Sequence, residues 1–209
     1  PVVLEIGCGM GETTAAIAHA HPESDFVGVE VHGPGVGAVL NRIEQSSLAN
    51  LRMIQHDAVE VVDAMIPEGS LAGIHVYFPD PWWKARHKKR RVFTADFAAS
   101  VAVVLRPSGR LQIATDVEEY FEVMTALVAA ETSLREIDRR IESGPDIRRR
   151  TVPWVEISKR RCFSATDSPS RADSWATRRT AMLFCRALSV AGSSSWLSSW
   201  TSSVSVATW

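Results

Sequence analysis

Residues 2–20, VVLEIGCGMGETTAAIAHA, decide the fold class of this 209-residue chain. A short β-rich run, Val2–Ile6, leads into closely spaced glycines, and Glu12–Ala20 follows with helix-forming residues. Glycines after a strand let backbone N–H groups approach a ligand closely, as at the nucleotide-binding start of many α/β sheets. The stretch therefore predicts a ligand site where the first strand ends.

The same alternation of strands and helices continues along the chain. Further strands are predicted at Asp25–Val31, Leu51–Gln55, Leu71–Phe78 and Arg110–Ala114, and helices at Val36–Ser46, Val59–Met65, Thr94–Val104 and Glu118–Glu131. Strands that alternate with helices form βαβ units on a parallel sheet. The predicted fold is α/β and Rossmann-like, with a mostly parallel twisted sheet and helices on both faces.

The composition is that of a globular protein, with 45% hydrophobic and 22% charged residues. Because the net charge is −1, binding to a nucleic acid would need a local basic patch. Three cysteines without C-x-x-C spacing predict reduced thiols in the cytoplasm and no metal site. We expect no membrane segment, since no apolar stretch approaches the roughly 18–20 residues that one requires.

Domain organisation divides the chain near residue 158. We expect one α/β domain at 1–158, and its start inside a strand-like run predicts missing N-terminal sequence. Residues 159–209 form an atypical tail: there are no acidic residues from Ser174 onward, and nine of the last 21 residues are serine. This composition favours a low-complexity or frame-shifted segment.

The glycine loop distinguishes two cofactor classes. Gly7, Gly9 and Gly11 miss the G-x-G-x-x-G spacing of dinucleotide sites, because position 12 is a glutamate. Glu5, two residues before the first glycine, stands where methyltransferases place the acid near the methionine end of S-adenosylmethionine. The loop favours this methyl donor, and a tight turn without a ligand remains the alternative.

Two further acids follow the next strands. Glu30 ends the second strand, where a carboxylate can accept hydrogen bonds from ribose hydroxyls. Asp57 follows the third strand, where methyltransferases bind the adenine amino group. Taken singly, Glu30 could be a solvated charge and Asp57 a helix N-cap. Together they favour a cofactor site, because ligands bind at the carboxyl ends of parallel strands.

Asp80 follows the fourth strand and lies between two prolines, in FPDPWW. Pro79 and Pro81 restrict the backbone on both sides, so the carboxylate is held in a stiff turn. Amino-group methyltransferases place an Asp/Asn-Pro-Pro-aromatic motif here. Asp80 could accept hydrogen bonds from a base edge while Trp82 or Trp83 stacks on the base. The alternative is a structural turn with an incidental acid.

Six cations lie within the next eight residues: Lys84, Arg86, Lys88, Lys89, Arg90 and Arg91, with His87 among them. Such a run is often only a solvated surface. Directly after a base-binding turn, it favours contact with the phosphates of an RNA or DNA substrate.

These motifs together resemble the bacterial tRNA (guanine-N7)-methyltransferase family. The similar segments are LEIGCGMG (4–11), GVEVHGPGVG (28–37), HDAVEV (56–61), MIP (65–67), FPDPWWKARHKKRR (78–91) and ATDVEEY (114–120). The resemblance is dense from residue 2 to about 125. It implies a class I methyltransferase that methylates N7 of a guanine in the variable loop of tRNA, with S-adenosylmethionine as cofactor and tRNA as partner.

Carried over residue by residue, the resemblance gives each motif a role. Asp80 would be catalytic and would also contact the cofactor, and Lys84 and Asp116 would bind substrate. The cofactor-binding set would be Glu5, Gly7, Gly9, Gly11, Glu30, Asp57 and Asp80, and the RNA-contacting set would be Arg86, His87, Lys88, Lys89, Arg90 and Arg91. The sequence leaves monomer and homodimer open.

The family's C-terminal Thr-x-Phe-Glu motif does not occur in this sequence. Two alternatives therefore remain beside the tRNA enzyme. One is another nucleic-acid or amino-group N-methyltransferase, since the Asp80 turn also suits an N–H nucleophile. The other is a non-catalytic RNA-binding protein.

Overall fold

The computed structural model describes residues 1–143, 151–160 and 205–207. One sheet contains its eight strands: β1 (Val2–Ile6), β2 (Asp25–Glu30), β3 (Leu51–Gln55), β4 (Leu71–Tyr77), β5 (Leu105–Ala114), β6 (Leu134–Ser143), β7 (Thr151–Lys159) and β8 (Ser205–Ala207). The helices are α1 (Glu12–Ala20), α2 (Gly33–Gln45), α3 (Ala58–Glu60), α4 (Ala95–Val104) and α5 (Glu118–Ala130). A π-helical turn, Val61–Met65, extends α3, and a 3-10 helix covers Ala85–Arg90.

The strand order is β6-β7-β5-β4-β1-β2-β3-β8. The central strands β5, β4, β1, β2 and β3 are parallel, whereas β6, β7 and β8 pair antiparallel at the two sides. The strand order reverses between β1 and β4, which are neighbours in the sheet. In open α/β sheets, ligands bind in the crevice at this switch point, at the carboxyl ends of the strands.

Alternating side chains of the strands build a core on each face of the sheet. Leu4 and Ile6 of β1 point into the larger cluster with Phe97 of α4 and Met124 of α5. Residues on the opposite face, including Phe26 and Met53, pack with α1 and α2. The predicted α/β architecture with helices on both faces is confirmed.

The predicted bounds of β1, α1 and β3 agree with the structure. Helix α2 begins at Gly33 rather than at the predicted Val36, because Pro34 is tolerated in the first turn of a helix. The hairpin of β6 and β7 was not predicted. Neither was β8, which pairs with β3; most of the predicted low-complexity tail lies outside the described residues.

Candidate active site

The glycine loop connects β1 to α1 and has the conformation that only glycine adopts readily. Gly7, Gly9 and Gly11 have φ values of 70°, 55° and 74°. A Cβ at Gly7 or Gly9 would meet nothing within 4 Å, so these two positions border open space. At Gly11 a Cβ would lie 2.3 Å from Val39 Cγ2. The loop is open towards the strand ends and closely packed against α2.

Glu5 is the most deeply buried acid of this loop, with 4% of its surface exposed. Burial raises the pKa of the Glu5 carboxyl to about 7, and the Thr14 hydroxyl opposes this shift. Neither Glu5 Oε2 nor Thr14 Oγ1 has a hydrogen-bond partner of normal geometry. An unsatisfied buried carboxylate oxygen is costly unless a ligand pairs with it.

Glu30 joins the end of β2 to the glycine loop. Its Oε2 accepts a hydrogen bond from Gly9 N at 2.9 Å, and its Oε1 accepts from Val31 N and His32 N at 2.8 and 2.9 Å. A carboxylate has about four acceptor positions, so roughly one remains for a ligand hydroxyl. Glu30 therefore orders the glycine loop through these backbone hydrogen bonds.

Asp57 is the N-cap of α3, and its Oδ1 accepts a hydrogen bond from Val59 N at 2.8 Å. The helix N-cap that the sequence analysis gave as the alternative role of Asp57 is thus present in the fold. The side chain is also exposed at the strand edge that contains the glycine loop, and a second carboxylate oxygen can still accept a hydrogen bond.

Cys8 lies beneath the loop and points into the core. Its thiol is 4.0 Å from both Val29 O and Met53 Sδ. Burial, with the negative charges of Glu5 and Glu30, raises the pKa of this thiol to about 12.

The turn after β4 presents Asp80 to solvent in a strained segment. Phe78 and Trp82, which bracket Pro79-Asp80-Pro81, have φ values of 49° and 45°. Non-glycine residues in this region cost about 1–3 kcal/mol each and cluster at functional sites. A cavity of about 400 Å³ adjoins the turn and is lined by Asp80, Pro81, Trp82, Trp83, Lys84 and His87.

The two tryptophans of the turn have different environments. Trp82 is half-buried; its ring is perpendicular to the His87 ring, with the centroids 5.9 Å apart, and the Arg90 guanidinium lies 5.1 Å from the Trp82 centroid. Trp83 is 64% exposed. The sequence did not distinguish Trp82 from Trp83 as the residue that stacks on a base. In the structure, Trp83 is the more exposed of the two and is therefore the more accessible to a ligand.

The basic run forms the 3-10 helix, which the sequence did not predict. Lys84, Arg86, Lys88, Lys89 and Arg90 are exposed, and Lys88 Nζ forms an ion pair with Glu119 at 3.3 Å. Arg91 differs from them, since it is only 8% exposed. Its Nε donates a hydrogen bond to Pro81 O at 2.7 Å, and its guanidinium lies 4.5 Å from the Tyr120 ring centroid. The sequence feature that could have indicated the burial of Arg91 is the apolar pair Val92-Phe93 that follows it.

The predicted site residues thus come together at one edge of the sheet, around the ends of β1, β2, β3, β4 and β5. Asp116 is exposed after β5 at this same edge. Within the described ranges, no three His, Cys, Asp or Glu side chains are grouped as metal ligands. In the same ranges, every helix is too short or too polar to cross a bilayer.

The fold and this site define a class I, Rossmann-like methyltransferase architecture. A protein-family model described as "Putative methyltransferase" matches residues 1–167. The chain belongs to this methyltransferase family, and its resemblance to the tRNA (guanine-N7)-methyltransferases is confirmed.

Among curated proteins, the chain is 51% identical over 158 residues to a tRNA (guanine-N(7)-)-methyltransferase of Ralstonia pickettii (strain 12J), covering 76% of this chain and 60% of that protein. It is 53% identical over 148 residues to the protein of the same name from Dechloromonas aromatica (strain RCB), covering 71% and 60%. The chain therefore spans about three fifths of the length of these relatives.

A solved structure with the same fold is a SAM-dependent methyltransferase from Aquifex aeolicus. It matches with a TM-score of 0.56 and 15% identity, covering 76% of this chain and 81% of that one. At this identity the likeness concerns the fold alone.

Proposed function

We propose that this protein transfers a methyl group from S-adenosylmethionine to N7 of a guanine in the variable loop of tRNA. The observation that supports it most is the position of Asp80. Its turn and cavity follow β4, and the glycine loop follows β1, the adjacent strand in the sheet. A base and a methyl donor bound at these two places would share the crevice at the switch point of the sheet.

The glycine-loop residues fit the cofactor chemically. Gly7 and Gly9 leave room for a ligand, and the unpaired Oε2 of Glu5 offers a buried acceptor for an ammonium group. Glu30 and Asp57 each retain acceptor capacity for the ribose and adenine ends. When bound, the cofactor would supply an activated methyl group.

Residues of the proline turn would bind the acceptor base. N7 of guanine has a free lone pair, so its attack requires no general base. Asp80 would accept hydrogen bonds from the N–H donors of the base and offset the positive charge that develops on it. Trp83 would stack on the base, and the exposed cations, with Lys84 nearest the turn, would bind phosphates.

The cytoplasm is the proposed location, because tRNA is modified there and the cysteines show no disulfide spacing. The polymer partner would be tRNA, held by the exposed side of the 3-10 helix rather than by the net charge of −1.

A matched pair of tRNA transcripts tests this function. The full chain is incubated with methyl-labelled cofactor and a transcript containing either guanosine or 7-deazaguanosine, in which N7 is replaced by carbon. We expect labelled 7-methylguanosine, identified by chromatography of the nucleosides, from the first transcript and no label in the second. Label in the 7-deaza transcript or on an adenine would contradict N7 transfer, and binding without label would favour a non-catalytic RNA-binding protein.

A further inference from the structure

The last residue of the basic run is built into the protein rather than onto its surface. Arg91 is 8% exposed, whereas the five other cations of the run are exposed. A buried guanidinium is costly unless it is hydrogen-bonded or stacked. Arg91 has both kinds of contact, to Pro81 O and to the face of Tyr120.

The hydrogen-bond acceptor of Arg91 lies in the segment that presents Asp80. Pro81 O belongs to the peptide group between Pro81 and Trp82, and the carbonyl carbon of that group defines φ of Trp82. This φ is 45°, in the left-handed region that tryptophan rarely adopts. The 2.7 Å bond from Arg91 Nε therefore holds the peptide plane on which the strained conformation depends.

The other contacts of the turn act in the same direction. Phe78 N donates to Ala114 O at 2.8 Å, which fixes the start of the turn to β5. Tyr120, on which the Arg91 guanidinium stacks, is fully buried in α5. Arg91 thus connects the end of the turn to the core through α5, while β5 fixes its beginning.

We propose that Arg91 is a positioning residue that holds the Asp80-Pro81-Trp82 turn in its strained conformation, and that it does not contact RNA. The inference rests on the proposed function and refines it, because it divides the basic run into an exposed RNA-binding part and one internal support. It replaces the RNA contact that the sequence analysis assigned to Arg91.

Two substitutions of the full chain separate the roles. Arg91→Met and Lys89→Met each replace one cation by an uncharged side chain of similar length. Lys89 is exposed, and the hydrogen bond to Pro81 O comes from Arg91. The first measurement is hydrogen–deuterium exchange of a peptide covering residues 78–84. We expect exchange to be at least about tenfold faster in Arg91→Met, as for the loss of one charge-assisted hydrogen bond, and unchanged in Lys89→Met.

The second measurement is steady-state methylation together with tRNA binding at several salt concentrations. We expect Arg91→Met to lower kcat by about 10- to 100-fold with an unchanged salt slope, because the acid is misplaced. Lys89→Met should weaken tRNA binding and reduce the slope of log K against log salt by about 1, as for one lost phosphate contact.

Two results would overturn the inference. One is exchange at residues 78–84 that does not change in Arg91→Met. The other is a salt slope that falls in Arg91→Met as it does in Lys89→Met. Since the exchange measurement needs no substrate, it decides the role of Arg91 even if the protein fails to methylate tRNA, which would contradict the proposed function instead.

Discussion

The two halves of the candidate active site are held in different ways. On the glycine-loop side, Glu5 is buried and Glu30 accepts three backbone hydrogen bonds, so the acids are part of the fold. On the proline-turn side, Asp80 is exposed beside a cavity, and its backbone is fixed by side chains and prolines around it. Changes to the buried acid of the first side should therefore alter stability, whereas loss of the exposed Asp80 side chain should alter turnover with little effect on stability.

Substitution of Asp80 should give the largest effect on activity. Asp80→Ala is expected to lower kcat by about 100- to 1,000-fold, the usual cost of losing one electrostatic contact in a transition state. The thermal unfolding midpoint should stay close to the parent value, because the side chain is exposed. Retained turnover, or a clear loss of stability, would remove the distinction between the two halves.

Glu5 should make the stability of the chain depend on pH. Its folded pKa of about 7 exceeds the ordinary value of 4.5, so the folded state binds the proton more tightly than the unfolded state. The free energy of unfolding should therefore fall as pH rises from about 4.5 to 7, by about 3 kcal/mol from this group.

Denaturant unfolding of the parent and of Glu5→Gln across this pH range measures that contribution. The difference between the two proteins should change by about 3 kcal/mol over the window, since all other groups are shared. Parallel pH profiles would show that Glu5 is not a buried carboxyl in solution.

Substitution of two glycines, Gly11 and Gly37, should give the smallest of the expected changes in stability. Gly11→Ala should destabilise the protein by about 1–3 kcal/mol, because φ is 74° and the new Cβ would lie 2.3 Å from Val39 Cγ2. Gly37→Ala is the matched control inside α2, where a Cβ would meet nothing within 4 Å. It should stabilise the helix by about 0.5–1 kcal/mol.

Both changes can be measured by urea unfolding, with cofactor binding followed in parallel. Equal effects of the two substitutions on stability would mean that the glycine loop is not packed against α2 as described.

The sequence predicted the glycine-loop side more completely than the proline-turn side. Their places at the ends of successive strands made Glu5, Glu30 and Asp57 candidates, because parallel strands bring their carboxyl ends to one edge of the sheet. The distinction between Arg91 and its basic neighbours depends on which way a 3-10 helix turns its side chains. One-dimensional charge patterns contain little information about that direction.

The hairpin of β6 and β7 was missed for a related reason. The segment from Leu134 to Ser143 is dense in charged residues, which resembles a solvated surface more than a strand. β6 pairs with β7, and β7 pairs with β5, through hydrogen bonds between residues far apart in sequence. Local strand propensity does not predict such pairing. Similarly, a positive φ at Phe78 or Trp82 follows from tertiary contacts and not from residue type.

The buried thiol of Cys8 is a built-in probe for opening of the glycine loop. Alkylating reagents attack the thiolate, and with a pKa of about 12 only roughly one Cys8 thiol in 10⁵ is ionised at neutral pH. Modification must therefore await an opening of the loop that exposes the sulfur to water. With Cys162 and Cys185 replaced by serine, the rate of alkylation would report how often the loop opens. A ligand that binds in the crevice and holds the loop closed would lower this rate.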